Sequence, residues 1–171
     1  MKKPSLLSNC RFLFLWGAIV SLGLLGSAYA LEYGYDLEPC SLCYLQRYLL
    51  WALCFMFWVG AIFNHRNLCQ YFYCPTSLII CLLGMALSIR QLWLQYFTAG
   101  ETSNCTAGFE KMLEFQPFFT ALKETVMNGD GCGAIDFTLF ALPLSAWSLL
   151  SFTVFFIYTV IILRWITKRR V

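Results

Sequence analysis

Apolar residues run uninterrupted by charge from Phe12 to Leu31 and again from Leu144 to Leu163. Wound as helices at about 1.5 Å per residue, runs of this length cross a hydrocarbon core of about 30 Å. Tyr44–Phe63 and Ser77–Phe97 look the same apart from one arginine each, Arg47 near the start of one and Arg90 late in the other. The pattern predicts an all-α membrane protein, a four-transmembrane-helix bundle with spans at about 12–31, 44–63, 77–97 and 144–163. Outer loops fall at 32–43 and 98–143, and residues 1–171 form one integral membrane domain.

The long connection holds Gly100, Gly108, Pro117, Gly129, Gly131 and Gly133, which favour a loop with partial structure. Within it Phe109, Met112, Leu113 and Phe115 are interspersed with Glu110, Lys111 and Glu114. A short helix lying in the membrane interface is one reading; an irregular loop with apolar anchors is the other. The inner connection Asn64–Thr76 carries Cys69, Cys74 and His65, the single histidine, whose simplest role is a solvated side chain. Tyr44, Trp147 and Trp165, near span ends, read as interfacial anchors.

Composition agrees with the pattern, since 60% of the 171 residues are hydrophobic and 12% charged. The distribution of charge matters more than its net value of +3. Lys2, Lys3, Arg11, Arg66, Arg164, Lys168, Arg169 and Arg170 fall on one side of a four-span arrangement, without an acidic neighbour. Every Asp and Glu falls on the other, accompanied by Lys111 and Lys123. Basic loops stay cytoplasmic, so both termini are expected inside. Nothing here points to nucleic acid. Lys2, Lys3, the first apolar run and Ala28-Tyr29-Ala30 also imitate a cleavable leader. The run exceeds a usual leader core, however, and cleavage would not change the orientation downstream.

That topology sorts the nine cysteines. Cys40, Cys43, Cys105 and Cys132 sit at or beyond the outer face, where an oxidising space lets disulfides persist. Cys10, Cys69 and Cys74 are inner thiols, and Cys54 and Cys81 lie within spans as small buried hydrophobes. Pro39 suits the opening turn of a helix, which would put Cys40 and Cys43 where unpaired amide N–H groups favour thiolate. Arg47 follows Cys43 at i+4 on the same face, and an arginine inside a span usually marks function.

Several chemistries compete for these residues. Four thiolates can hold a structural zinc, making the chain a non-catalytic metal-binding or anchoring subunit, but Cys105 and Cys132 lack the close spacing of a zinc knuckle. No metal is therefore assigned. A purely structural staple between Cys105 and Cys132 leaves Pro39 and Arg47 without a purpose. Haem attachment needs a histidine where Tyr44 stands, and no glycine-rich dinucleotide loop follows a strand. If both outer pairs are redox active, electrons pass between them by thiol–disulfide exchange. A thiol pair at the lipid edge can then meet an acceptor dissolved in the bilayer, for which a quinone is the natural candidate.

Cys40-Ser41-Leu42-Cys43-Tyr44-Leu45-Gln46-Arg47 resembles the Cys-x-x-Cys-x-x-x-Arg signature of the DsbB-type disulfide bond formation proteins, and the likeness in topology extends over nearly the whole chain. The resemblance implies redox-active disulfides Cys40–Cys43 and Cys105–Cys132 and a multi-pass protein of the bacterial inner membrane with its active cysteines periplasmic. It implies that a periplasmic DsbA-type thioredoxin-fold dithiol attacks Cys105, that released Cys132 attacks Cys40, and that Cys43 donates to ubiquinone or menaquinone through a charge-transfer contact. Arg47 would polarise a quinone oxygen, and Gln46 matches the Glu or Gln that many members carry before the arginine. A DsbA-like partner is a strong oxidant, at about −120 mV, so its reoxidation needs a strongly oxidising acceptor. Some members have a histidine late in the third span, where this chain has Arg90-Gln91-Leu92-Trp93-Leu94-Gln95-Tyr96, leaving the roles of Arg90, Gln91 and Tyr96 open. A vitamin K epoxide reductase-like enzyme is the alternative, disfavoured because its Cys-x-x-Cys lies on a late helix.

Overall fold

The computed structural model describes residues 6–35, 40–63, 68–97, 120, 123, 138–139 and 142–168. Four helices carry the fold: α1 (Leu6–Tyr35), α2 (Ser41–Phe63), α3 (Cys74–Phe97) and α4 (Leu144–Lys168). Each contains a stretch long and apolar enough to cross a membrane. Their outward faces explain why. Phe55, Ile62, Ile79, Leu83, Val154 and Ile161 are each more than half exposed, so the outward faces carry large apolar side chains. In water that surface would be costly; against lipid it is the normal state of a bundle.

Neighbouring helices run antiparallel. Phe14 and Gly17 near the start of α1 meet Gly60 and Phe57 near the end of α2, Gln46 early in α2 meets Gln91 late in α3, and Gly84 and Gln95 of α3 meet Phe152 and Ser145 of α4. Tyr158 of α4 closes the circuit by donating to the Leu13 carbonyl of α1 at 2.7 Å. A two-residue antiparallel pairing, β1 (Thr138–Leu139) with β2 (Leu142–Pro143), leads into α4.

Two helix pairs are drawn together by rings seated on glycine. A Cβ built on Gly60 would lie 2.7 Å from the Phe14 ring, and one on Gly17 3.1 Å from the Phe57 ring, so α1 and α2 each give a ring and receive one. Phe152 of α4 lies over Gly84 of α3 in the same manner, at 2.5 Å from such a Cβ. Lipid supplies no hydrophobic drive between helices, so close approach at small residues does the holding. Phe57 is the hub of the core, with ring centroids 6.0 Å from Phe14, 5.8 Å from Phe155 and 6.4 Å from Tyr158.

The sequence placed residues 69–76 in a connection; the structure makes them the entrance to α3. Cys69–Tyr73 form a π-helical turn in which the Cys74 N–H donates to the Cys69 carbonyl. Pro75 is the physical reason. It brings no N–H to the Tyr71 carbonyl and its ring would crowd that oxygen in an α-helix, a conflict that a wider turn relieves. At the other end of the chain's first span, α1 continues to Tyr35, so Glu32 belongs to a helix rather than to a loop. The segment 109–115, read as an interfacial helix or an anchored loop, lies outside the described residues.

Gly84→Ala should lower the unfolding midpoint in a detergent titration by an amount equivalent to about 1–3 kcal/mol, because the Phe152 ring must move. Gly26→Ala, which meets nothing within 4 Å, should leave the midpoint unchanged or raise it. Equal behaviour of the two variants would contradict the ring-on-glycine account.

Candidate active site

The Cys40-Ser41-Leu42-Cys43 segment opens α2. The Cys40 carbonyl accepts from the Tyr44 N–H at 3.2 Å, which makes Cys40 the N-cap and places Cys43 three positions into the helix. One turn of helix therefore brings the two side chains together. Their sulfurs lie 2.9 Å apart, both half-buried thiols. A disulfide of about 2.05 Å would need a shift of under about an ångström. Leu42, Leu45 and Leu94 form a small apolar cluster against Cys40 and Tyr44.

From the α3 side an amide reaches both sulfurs. Gln91 Nε2 donates to Cys43 Sγ at 3.1 Å and to Cys40 Sγ at 3.5 Å. Gln46 holds that amide in place, its Nε2 donating to Gln91 Oε1 at 2.8 Å. Ser148 of α4 in turn donates to Gln46 Oε1 at 2.8 Å, and its oxygen lies 3.2 Å from that of Ser88. Three helices thus supply one polar chain that ends on sulfur. Gln91 is 2% exposed and Gln46 7%. Buried amides left unpaired would each cost a few kcal/mol in such surroundings, so their mutual satisfaction fixes the register of α2 on α3.

Arg47 points the other way. The i+4 spacing put it beside Cys43, yet its guanidinium reaches toward α1, with Nη1 donating to Glu32 at 2.5 Å and Cζ 4.7 Å from the centroid of the Tyr29 ring. Tyr44 lies 5.7 Å from the same guanidinium on its own helix. An arginine at membrane depth needs a counter-charge and a polarisable wall, and α1 provides both. These groups, with Tyr33, Tyr48 and Trp51, line a recess of about 400 Å³ between α1 and α2. Neither sulfur belongs to its wall; Tyr44, next in sequence to Cys43, stands at that side.

Sequence reasoning named Cys40, Cys43, Gln46 and Arg47, and the structure gathers all of them in the first turns of α2. Cys105 and Cys132 lie outside the described residues. Gln91, left without a role in the sequence, is the residue on the sulfurs, whereas Tyr96 is mostly exposed. Tyr44, read as an interfacial anchor, also walls the recess. Ser148 and Glu32 were not foreseen as site residues. For Gln91 and Ser148 the available signal was the polar residue inside an apolar span, which normally faces the bundle interior and pairs there; Glu32 gave no such signal, since it fell in a stretch read as a loop.

A bundle of membrane-spanning helices with two cysteines poised at the head of one of them defines an integral membrane protein of the thiol–disulfide class. The chain belongs to the family of the disulfide bond formation protein DsbB, whose family model matches residues 10–162. It is similar to the disulfide bond formation protein B of Hahella chejuensis, 34% identical over 87% of this chain and 90% of that one. The proteins of the same name from Methylobacillus flagellatus, 35% identical over 80% of this chain and 82% of that one, and from Chromohalobacter salexigens, 30% identical over 91% of each, are also similar.

Removing Glu32 tests the ion pair. Glu32→Leu should destabilise the bundle by about 1.5–3 kcal/mol, the range for hydrogen bonds to charged groups. In a double-mutant cycle with Arg47→Met, unfolding measurements should give a coupling above about 0.5 kcal/mol. Strict additivity would mean that the pair contributes nothing.

Proposed function

We propose that this chain is a quinone-dependent thiol oxidase that reoxidises a periplasmic DsbA-type thioredoxin-fold dithiol. The observation that carries the reading is the approach of the Cys40 and Cys43 sulfurs to 2.9 Å at the head of a membrane helix, beside a recess holding an arginine and several aromatic rings. Membership of the DsbB family supports it. The partition of charge supports an inner-membrane orientation with cytoplasmic termini and periplasmic thiols.

In this reading a thiolate of the partner attacks Cys105 of a Cys105–Cys132 disulfide, and the electron pair of the broken bond leaves on Cys132. Cys132 attacks Cys40 Sγ, the Cys40–Cys43 bond breaks, and the pair leaves on Cys43. Exchange then releases the partner oxidised and leaves this chain with one dithiol to discharge.

The residues around the recess suit a quinone. A planar ring with two carbonyl oxygens fits a space of about 400 Å³ walled by Tyr29, Tyr44, Tyr48 and Trp51. Arg47 would bind one oxygen; guanidinium carries five N–H donors, and Glu32 engages Nη1. When bound, a quinone accepts two electrons and two protons and so regenerates the disulfide. The positive charge of Arg47 would stabilise the negative charge that develops at that oxygen, and Tyr44 would mark the side from which Cys43 is reached.

Purified protein supplied with a reduced DsbA-type partner and ubiquinone or menaquinone should consume the quinone, and Cys43→Ala should reduce turnover to background. A partner variant lacking its second active-site cysteine should accumulate a mixed disulfide with this chain on a non-reducing gel, absent in Cys105→Ala. Undiminished turnover in Cys43→Ala, or attachment at a cysteine other than Cys105, would overturn the route.

A further inference from the structure

The amide of Gln91 has no part in the exchange steps above, yet it is the buried α3 group that touches both sulfurs. Its surroundings indicate what it does. An amide N–H gains much more from an anionic sulfur than from a thiol or a disulfide, whose sulfurs accept weakly. Stabilising the anion is therefore the distinctive contribution this contact makes. The amide is also held with its N–H groups toward sulfur, because Gln46 Nε2 occupies Gln91 Oε1 and Ser148 occupies Gln46 Oε1.

The position of the contact selects between the two cysteines. Cys40 and Cys43 both sit in the positive field of the α2 N-terminus, so that field alone does not choose one. Gln91 does, lying 3.1 Å from Cys43 and 3.5 Å from Cys40. With the anion on Cys43, the Cys40 thiol at 2.9 Å is a second donor to it. Among charged groups nearby, Arg47 one turn along α2 is engaged by Glu32 of α1, Arg90 adjoins Gln91 in α3, and α4 faces the site with serines.

We propose that Gln91 is a positioning and specificity-determining residue: oriented through Gln46 by Ser148, its amide concentrates the negative charge of the reduced pair on Cys43. The inference deepens the proposed function, in which the pair is opened by attack at Cys40. As an incoming thiolate forms its bond to Cys40 Sγ and the Cys40–Cys43 bond breaks, the electron pair goes to Cys43 Sγ, where a donor already waits. Attack at Cys43 would deliver the pair to Cys40, farther from the amide. Stabilising the reduced form in this way also makes the disulfide a stronger oxidant, as a regenerator of oxidising partners must be.

The test reads Cys43 directly. Full-length protein in detergent is reduced and alkylated with iodoacetamide across a pH series, and labelling at Cys43 is followed by peptide mass spectrometry, with neither partner nor quinone present. Gln91→Leu should move the half-labelling pH upward by about one unit or more. Gln91→Glu keeps the volume but places carboxylate oxygen at sulfur, and should shift it at least as far. Ser148→Ala, which frees the far end of the chain, should produce a smaller shift in the same direction.

Gln95→Leu is the control for lost helix packing, since Gln95 accepts a hydrogen bond from Ser145 one turn away across the same α3–α4 contact without touching either sulfur. Its profile should match that of the unaltered protein. Superimposable profiles for Gln91→Leu, Gln91→Glu and the unaltered protein would overturn the inference, as would an equal shift in Gln95→Leu. A shift at Gln91 in a protein that oxidises no partner would leave this inference standing and refute the proposed function, so the two failures are distinguishable.

Discussion

Gln46 donates to Gln91 inside a bundle whose outer surface is meant for hydrocarbon, and the medium gives that single bond its weight. In water a misplaced glutamine finds solvent; between lipid-embedded helices it has only what the neighbouring helix offers. Sliding α2 along α3 would separate these amides, strand two polar groups and remove the donor from the sulfurs together. The positions of the thiols, of Gln91 and of Ser148 are thus one constraint seen from three helices. Rings on glycines bring the helices close; the amides decide where along their length they stop.

This constraint divides the head of α2 between two neighbours. Residues three apart, Cys43 and Gln46, face α3 and meet a neutral donor chain. Tyr44, Arg47, Tyr48 and Trp51 face α1 and meet a carboxylate and more aromatic rings. Helical periodicity separates the sulfur side from the cation side although the residues interleave in sequence. A helix carrying thiols on one side and a cationic aromatic recess on the other can bring two different reactants to adjacent turns without making them compete for one surface.

Much of this was readable from residues alone, and the reasons are particular. Uninterrupted apolar runs leave a membrane helix as the simplest outcome, so all of the spans were legible. Cys40 and Cys43 at i and i+3 are brought together by local geometry, which needs no tertiary information. Arg47 was recognised as belonging to the site, but its direction was not, because that depends on Glu32, which the sequence assigned to a loop while α1 continues through it. The π turn at Cys69–Tyr73 escaped notice because Pro75 reads equally well as the start of a helix and as a defect near its start. Gln91 could not be paired with Gln46 from spacing, since their contact depends on how far α3 is shifted along α2.

Among the described residues, the chain of groups that reaches the sulfurs is made of amides and hydroxyls rather than ions, and this follows from the same medium. A standing cation beside Cys43 would need its own counter-charge within the bundle, as Arg47 needs Glu32. Neutral dipoles avoid that requirement and can still give a thiolate a charge-assisted bond. With Arg47 offset by Glu32 and the Gln46–Gln91–Ser148 chain uncharged, the sulfurs are the groups of this cluster whose charge would change on the proposed route. On that route the charge would arise at Cys43, one residue from the aromatic wall that Tyr44 contributes.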